Sequence, residues 1–279
     1  MEKQLLVRLE GLLNHESYGT VDFILANHLL QHYRDLEHTS IAELAAQCSV
    51  SPASVSRFAR NLGYQDFFDL KDDLSKLVEN ESNGLEIFRG LNNASSAEFL
   101  SQVTAGMQAS LEAIPDAQLD GLVRMIFAHE RLVLMGHWHS ADAALQLQHD
   151  LVYLGKTSQI FVHPDEQRLS FKTMQPNTLF IVFSCAGNFF ADFFPRRTAP
   201  PLAPGSSLCL LTAGMPQKQV PGVALHLDCN AGLGLAGSNL SLFFLEKRIL
   251  LRCYQYKAHS GELAPQQMLL NLNTKKIDE

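Results

Sequence analysis

Six residues within one ten-residue stretch could do chemistry on a nucleic acid. Ser51, Ala53, Ser54, Ser56, Arg57 and Arg60 all fall within SPASVSRFAR, and each is small, hydroxylic or cationic. Small side chains let a helix approach the floor of a DNA major groove, which is about 12 Å wide. An arginine such as Arg57 presents a planar fork to guanine or to phosphate. No acidic residue lies between Leu44 and Gln65 to repel a polyanion. A second group of candidates stands in two loops far downstream, GHWHS at 136–140 and SCAGN at 184–188. Each loop follows a buried-strand pattern, and the first leads into a helix pattern whose N-terminal N–H groups would point at a bound anion. Gly136, His137, His139 and Ser140 in the first loop, and Ser184, Gly187 and Asn188 in the second, are the candidate ligand contacts.

The elements that must position the first group are two short helices meeting at a tight turn over residues 39–64. Ser40 is placed to cap the first helix, with Glu43 three residues on as the partner of a capping box. Ile41, Leu44 and Ala45 give that helix a narrow apolar stripe. Ser51 then caps the second helix with Pro52 at its first position, where the missing N–H costs nothing. Val55, Phe58, Ala59 and Leu62 form the buried stripe of that second helix, which turns Arg57 and Arg60 outward, and Gly63 is placed to end it. Phe67, Phe68, Leu70 and Leu74 continue as a further amphipathic helix carrying Lys71 as a candidate phosphate contact. An ordinary helical hairpin with a solvated cationic face is the bland alternative. The Ser-Pro start, the small leading face and the cationic middle favour DNA.

The segment SIAELAAQCSVSPASVSRFARNLGYQDFFDLKDDL resembles the N-terminal domain of the RpiR/MurR family of bacterial transcription regulators. The resemblance implies that a sugar isomerase (SIS) domain follows, binds a phosphosugar and controls the DNA-binding domain. It also implies where that ligand sits. Gly136 and Ser140 match the GxGxS turn of the SIS domain, and Ser184 and Gly187 match its SxSGxT phosphate loop. The departures are Trp138 for the second glycine of the turn, and Ala186 and Phe189 for the later Ser and Thr of the loop. Two hydroxyl donors to charged oxygen are thereby lost, each worth roughly 1.5–3 kcal/mol. A weakened phosphosugar site, a site for a less charged ligand, and a filled pocket serving mainly dimerisation all remain open at this point.

Length and charge frame these motifs. A chain of 279 residues with 46% hydrophobic content suits two domains with packed cores. The net charge of −7 opposes nucleic-acid binding, and residues 1–77 themselves hold seven Lys/Arg against eleven Asp/Glu. DNA binding must therefore rest on a local basic face, with salt-sensitive affinity and two half-sites read by a dimer. No run approaches the 18 or more apolar residues of a membrane span, and the N-terminus lacks the apolar core of a signal peptide, so a cytoplasmic protein is expected. The five cysteines are scattered without CxxC spacing and read as buried free thiols. His137, His139, His149 and His163 have no metal-ligand spacing, so neither metal nor cofactor is implied.

In chain order, helix spacing appears at 2–14 and 20–34, then after the paired helices a polar linker with a short helix at 85–91. Helices at 97–113 and 116–129 follow. Strand patterns at 131–135, 159–162, 178–183, 208–212 and 223–228 alternate with helix patterns at 140–154, 165–173 and 240–254. The expected fold class is an all-α helix-turn-helix domain followed by an α/β doubly wound parallel-sheet, SIS-like domain. Prolines 195, 200, 201 and 204 should stop any helix after the second loop near Phe194. The expected organisation is a DNA-binding domain at 1–77, a linker and connecting helix at 78–109, a sensing and dimerisation domain at 110–258, and a polar tail at 259–279. The function expected is a DNA-binding transcriptional regulator without catalytic residues. Its partners would be double-stranded operator DNA, a small effector such as a phosphosugar, and further copies of itself in a homodimer or homotetramer, with no membrane. A sugar-phosphate isomerase and a ligand-independent DNA-binding dimer are the alternatives.

Overall fold

Helix-start and helix-stop chemistry organises the first part of the chain. The computed structural model describes residues 2–79, 94–136, 139–185, 187, 189, 201–214, 220–229 and 234–261, and it divides the chain into two units, Met1–Ile87 and Phe88–Glu279. In the first unit, α1 (Glu2–His15) is followed by α2 (Val21–His32), whose cap Thr20 accepts from Phe23 N at 3.3 Å. A 3-10 helix, Tyr33–His38, ends α2 earlier than its apolar spacing predicts. Then come α3 (Ile41–Gln47), α4 (Pro52–Asn61) and α5 (Phe67–Glu79). Leu5, Leu9, Leu25, Leu29, Leu44, Val55, Phe58, Leu70 and Leu74 are buried together as the core of this unit. That core fixes which side of α4 faces water.

Helix α3 is closed at both ends. Ser40 and Glu43 form the capping box: Ser40 N donates to Glu43 Oε2 at 2.7 Å, and Glu43 N donates to Ser40 Oγ at 3.2 Å. That backbone donor holds the Glu43 carboxyl below its ordinary pKa. At the far end of α3, Ser49 N donates to Ala46 O at 3.1 Å and Val50 N to Ala45 O at 2.9 Å, with Ser49 at φ +55°. This is a Schellman closure with serine where glycine usually sits. The same closure ends α4, where Gly63 has φ +90° and Tyr64 N donates to Ala59 O at 3.1 Å.

The second unit opens with α6 (Ser96–Ala113) and α7 (Asp116–Ala128) and then alternates. Its elements are β1 (Arg131–Gly136), α8 (His139–Val152), β2 (Gln159–Phe161), α9 (Pro164–Lys172), β3 (Thr178–Ser184), β4 (Ser207–Thr212), β5 (Leu225–Asp228) and α10 (Gly234–His259). The five strands lie parallel in the order β2-β1-β3-β4-β5, so the sheet is doubly wound and its strand order reverses between β1 and β3. Every residue of β3 is buried, as a central strand covered on both faces must be. One face packs Leu134, Ile181, Leu211 and Leu147 with Ile249 of α10; the other packs Val133, Phe180, Leu210 and Phe171. The expected alternation of strands and helices is present. α10 begins earlier than its apolar run, at Gly234. The helix expected at 85–91 and the proline-rich segment 190–200 lie outside the described residues.

α10 holds this unit together through charged side chains on an otherwise apolar helix. Arg248, 7% exposed, donates to Ser110 O at 3.2 Å and Ile114 O at 2.6 Å, satisfying carbonyls at the end of α6. Arg252 grips Asp120 of α7 with two bonds of 2.7 and 2.8 Å. Glu246 is fully buried, with Lys247 Nζ 3.3 Å from its Oε2 and the same ammonium 2.5 Å from Asp150 of α8. Burial outweighs the attraction to Lys247 and pushes the Glu246 carboxyl up to about 7 from 4.5. The folded chain then keeps a proton that the unfolded chain has released. Stability from this group is full below about pH 4.5 and is lost as pH rises through about 7. Thermal melts across that window should show the melting temperature of the native chain falling, and Glu246→Gln should flatten the decline; an unchanged slope would remove Glu246 as its cause.

Candidate functional site

The outward side of α4 is small and cationic. Ser51 caps the helix by accepting from Ser54 N at 3.1 Å, and the two hydroxyls lie 2.9 Å apart, so both are fixed at its leading end. Ala53 is exposed, Ser54 and Ser56 are half-buried, and Arg57 and Arg60 are exposed one turn apart. Neither arginine side chain has an ion-pair or hydrogen-bond partner among the described residues. Lys71 is half-buried; its Nζ stands 3.5 Å from Thr39 O and 5.4 Å from the centre of the Phe68 ring. The structure therefore places all seven expected DNA contacts on α4 and α5 of one small unit.

In the second unit the two candidate loops meet. Gly136 ends β1 beside Phe183 of β3, so both loops leave the same edge of the sheet, at the point where strand order reverses. A Cβ at Gly136 would stand 2.5 Å from Ala141 Cα, so only glycine allows α8 to start this close to the strand. Ser140, 4% exposed, accepts from Cys185 N at 3.0 Å and donates to Cys185 Sγ at 3.2 Å. Ser184 accepts from Phe189 N at 3.3 Å, while Gly187, at φ +68°, donates its N–H to Ser184 O at 3.0 Å. His139 is the first residue of α8. His137 and Asn188, with Trp138 and Ala186, lie outside the described residues. Phe189 is buried and tilted against Phe171 with ring centres 6.5 Å apart, on the face opposite α10.

Other polar groups complete this edge, and none was singled out by residue pattern. Gln167 of α9 is fully buried, and its Nε2 donates to Gly136 O and to Phe161 O, each at 2.7 Å. Thr212 pairs with Ser184 on one side and Asp228 on the other, which puts the three side chains on one face of the last rung. Thr212 Oγ1 lies 2.8 Å from His226 Nε2, and burial lowers the imidazole's pKa against the pull of Asp228. Asp228 Oδ1 accepts from Gly214 N at 2.9 Å. Strand alternation could have placed Thr212 on the face of Ser184, but Gln167 needs the packed helix to reveal it. Among the described residues, no three His, Cys, Asp or Glu side chains are gathered as for a metal ion. No described helix is long and apolar enough to cross a membrane.

Residues 13–81 match the helix-turn-helix domain of the rpiR family. The N-terminal unit carries an rpiR-family helix-turn-helix domain. An uncharacterized HTH-type transcriptional regulator of Providencia stuartii is 29% identical over 187 residues, 65% of this chain and 65% of that relative. The HTH-type transcriptional regulator GlvR of Bacillus subtilis is 23% identical over 187 residues, 65% of this chain and 68% of its own length. The alignment thus spans about two thirds of the length of these relatives, and under two thirds of the first. Among solved structures, the Vibrio vulnificus NanR protein complexed with ManNAc-6P is similar with a TM-score of 0.48 and 17% identity, over 95% of this chain and 97% of that one. The match places α2 to α5 in the rpiR-family domain, with Ser51 to Arg60 on its second short helix.

The loop joint gives a direct test. Ser140→Ala leaves the buried Cys185 N–H without its acceptor and should destabilise the protein by about 1–3 kcal/mol. Gly136→Ala forces backbone apart and should cost a similar or larger amount. Urea unfolding monitored by circular dichroism measures both; wild-type midpoints would mean that the joint does not fix the two loops.

Proposed function

We propose that the protein is a DNA-binding transcriptional regulator. Residues 1–77 bind operator DNA, and residues 110–258 sense a sugar phosphate or related small metabolite and hold a homodimer or homotetramer, with 78–109 as the connecting segment. The observation that carries this reading is the outward face of α4, where Arg57 and Arg60 stand exposed beside small side chains in an rpiR-family domain. Major-groove entry needs that combination, and the rigid core beneath it supplies the orientation.

The acidic balance of the domain shapes the mechanism. Seven basic residues against eleven acidic ones in residues 1–77 leave no broad electrostatic pull on DNA. Two domains on two half-sites are then needed for useful affinity, and a dimer provides them. A ligand at the Gly136 and Ser184 loops regulates by binding one arrangement of the subunits better than another, and only to the extent of that difference. The domain named in the resemblance binds phosphate through loop hydroxyls. Here Ser140 faces inward and Phe189 is packed in the core, which favours a ligand held less by its phosphate. The protein acts by binding, with no catalytic residue.

Operator binding is testable without knowing the operator. Selection of duplexes from a random pool by the full chain should enrich a two-half-site sequence. Arg57→Ala should then weaken binding to it by roughly tenfold and reduce the salt slope by about 1, with unaltered melting temperature, because Arg57 is exposed. Fluorescence anisotropy reads both quantities. Failure to enrich any duplex would overturn the function, and an unchanged slope would remove Arg57 from the reading face.

A further inference from the structure

We infer that the second unit recognises a ligand at its strand ends through a hydrogen-bond donor on the ligand, a hydroxyl or amine received by Gln167 Oε1. This rests on the sensor reading of those strand ends and specifies the ligand chemistry there. Gln167 is fully buried on α9, and its Nε2 donates to the carbonyls of Gly136 and Phe161, the last residues of β1 and β2. These two acceptors fix the amide's orientation, since a flipped amide would set its oxygen against two carbonyl oxygens. Among the described residues, Gln167 Oε1 has no hydrogen-bond partner. A buried acceptor without a donor is uncommon in native structures, and it calls for a group that arrives from elsewhere.

The position of this atom matters as much as its vacancy. Gly136 is the root of the first loop and flanks the reversal of strand order, where doubly wound sheets take their ligands. The hydroxyl of Ser140 is committed to Cys185 as both acceptor and donor, and that of Ser184 already accepts from Phe189 N. The commitment of Ser140 leaves the edge poorer in donors for a phosphate than the SIS loops it resembles, with the Ser184 O–H still able to donate, while Gln167 supplies an acceptor that a fully deprotonated phosphate cannot use. A polyhydroxylated or amino sugar supplies the missing donor. Because the same amide ties β1 and β2 to α9, a bound donor also reaches the start of the loop directly.

Calorimetric titration of the full-length protein tests this with a panel of hexose and hexosamine 6-phosphates, the free sugars and inorganic phosphate. The tightest binder is then compared with its monodeoxy and deamino analogues on the native chain and on Gln167→Met. The expected result is that losing one particular donor weakens binding to the native chain at least about tenfold. The same loss should cost Gln167→Met less than threefold. If Gln167→Met does not fold, Gln167→Asn takes its place, keeps an amide but draws its oxygen back by one methylene, and should likewise lose the sensitivity to that donor. Analogues that all bind equally, a penalty that persists in the Gln167 variant, or inorganic phosphate binding as tightly as the sugars would overturn the inference while leaving a sensor. Absence of binding by the whole panel would overturn both.

Discussion

The contact on which the second unit depends is the joint between Ser140 and Cys185. One hydroxyl accepts the Cys185 N–H at 3.0 Å and returns its own hydrogen to the same residue's sulfur. It ties the start of α8 to the end of β3 across the place where strand order reverses. The joint requires α8 to begin close against β1, and Gly136 alone permits that approach. Gln167 then fixes the carbonyl of Gly136 from the other side, and Phe189 closes the sheet face beyond Ser184. The geometry of these strand ends is therefore a consequence of backbone proximity, with the Ser140 hydroxyl holding the scaffold.

A comparable economy governs the first unit. Val55, Phe58 and Ala59 bury one side of α4, so the remaining residues can be small and cationic without loss of core. Arg8 of α1 donates to Leu62 O at 2.7 Å, giving the last turn of α4 a partner from outside the helix pair. Tyr64 donates to the buried Asp73 at 2.8 Å, which ties α5 to the end of α4, and burial with Asp73 raises the phenol well above its usual range. The outward face is thus held from behind by α1 and α5. Its orientation depends on packing that residue composition does not display.

Local chemistry was legible in the sequence and long-range partnership was not. The capping box at Ser40 and Glu43, the Ser51 cap with Pro52, and the glycine ending α4 are all written within four residues of where they act. Parallel strands announce themselves as apolar runs, so the fold class follows. The closure at Ser49 was not readable, because a serine in the left-handed region is held by bonds to Ala45 and Ala46 rather than chosen by its own preference. α10 shows the same limit. Its apolar run marks burial, yet Arg248 and Glu246 inside that run are explained only by α6, α7 and α8. Gln167 sits in an unremarkable polar helix, and only the strand ends it holds give it meaning.

In the proposed mechanism, the second unit's ligand and the first unit's DNA are coupled. The most direct measurement is the dissociation constant of the full chain for its selected duplex, with and without a ligand that calorimetry shows to be bound at saturation. Coupling of the usual size changes that constant by about 5- to 150-fold, in either direction. Such a change is the predicted result. An identical constant with the ligand bound would contradict the account, leaving a DNA-binding protein whose second domain does not report to the first.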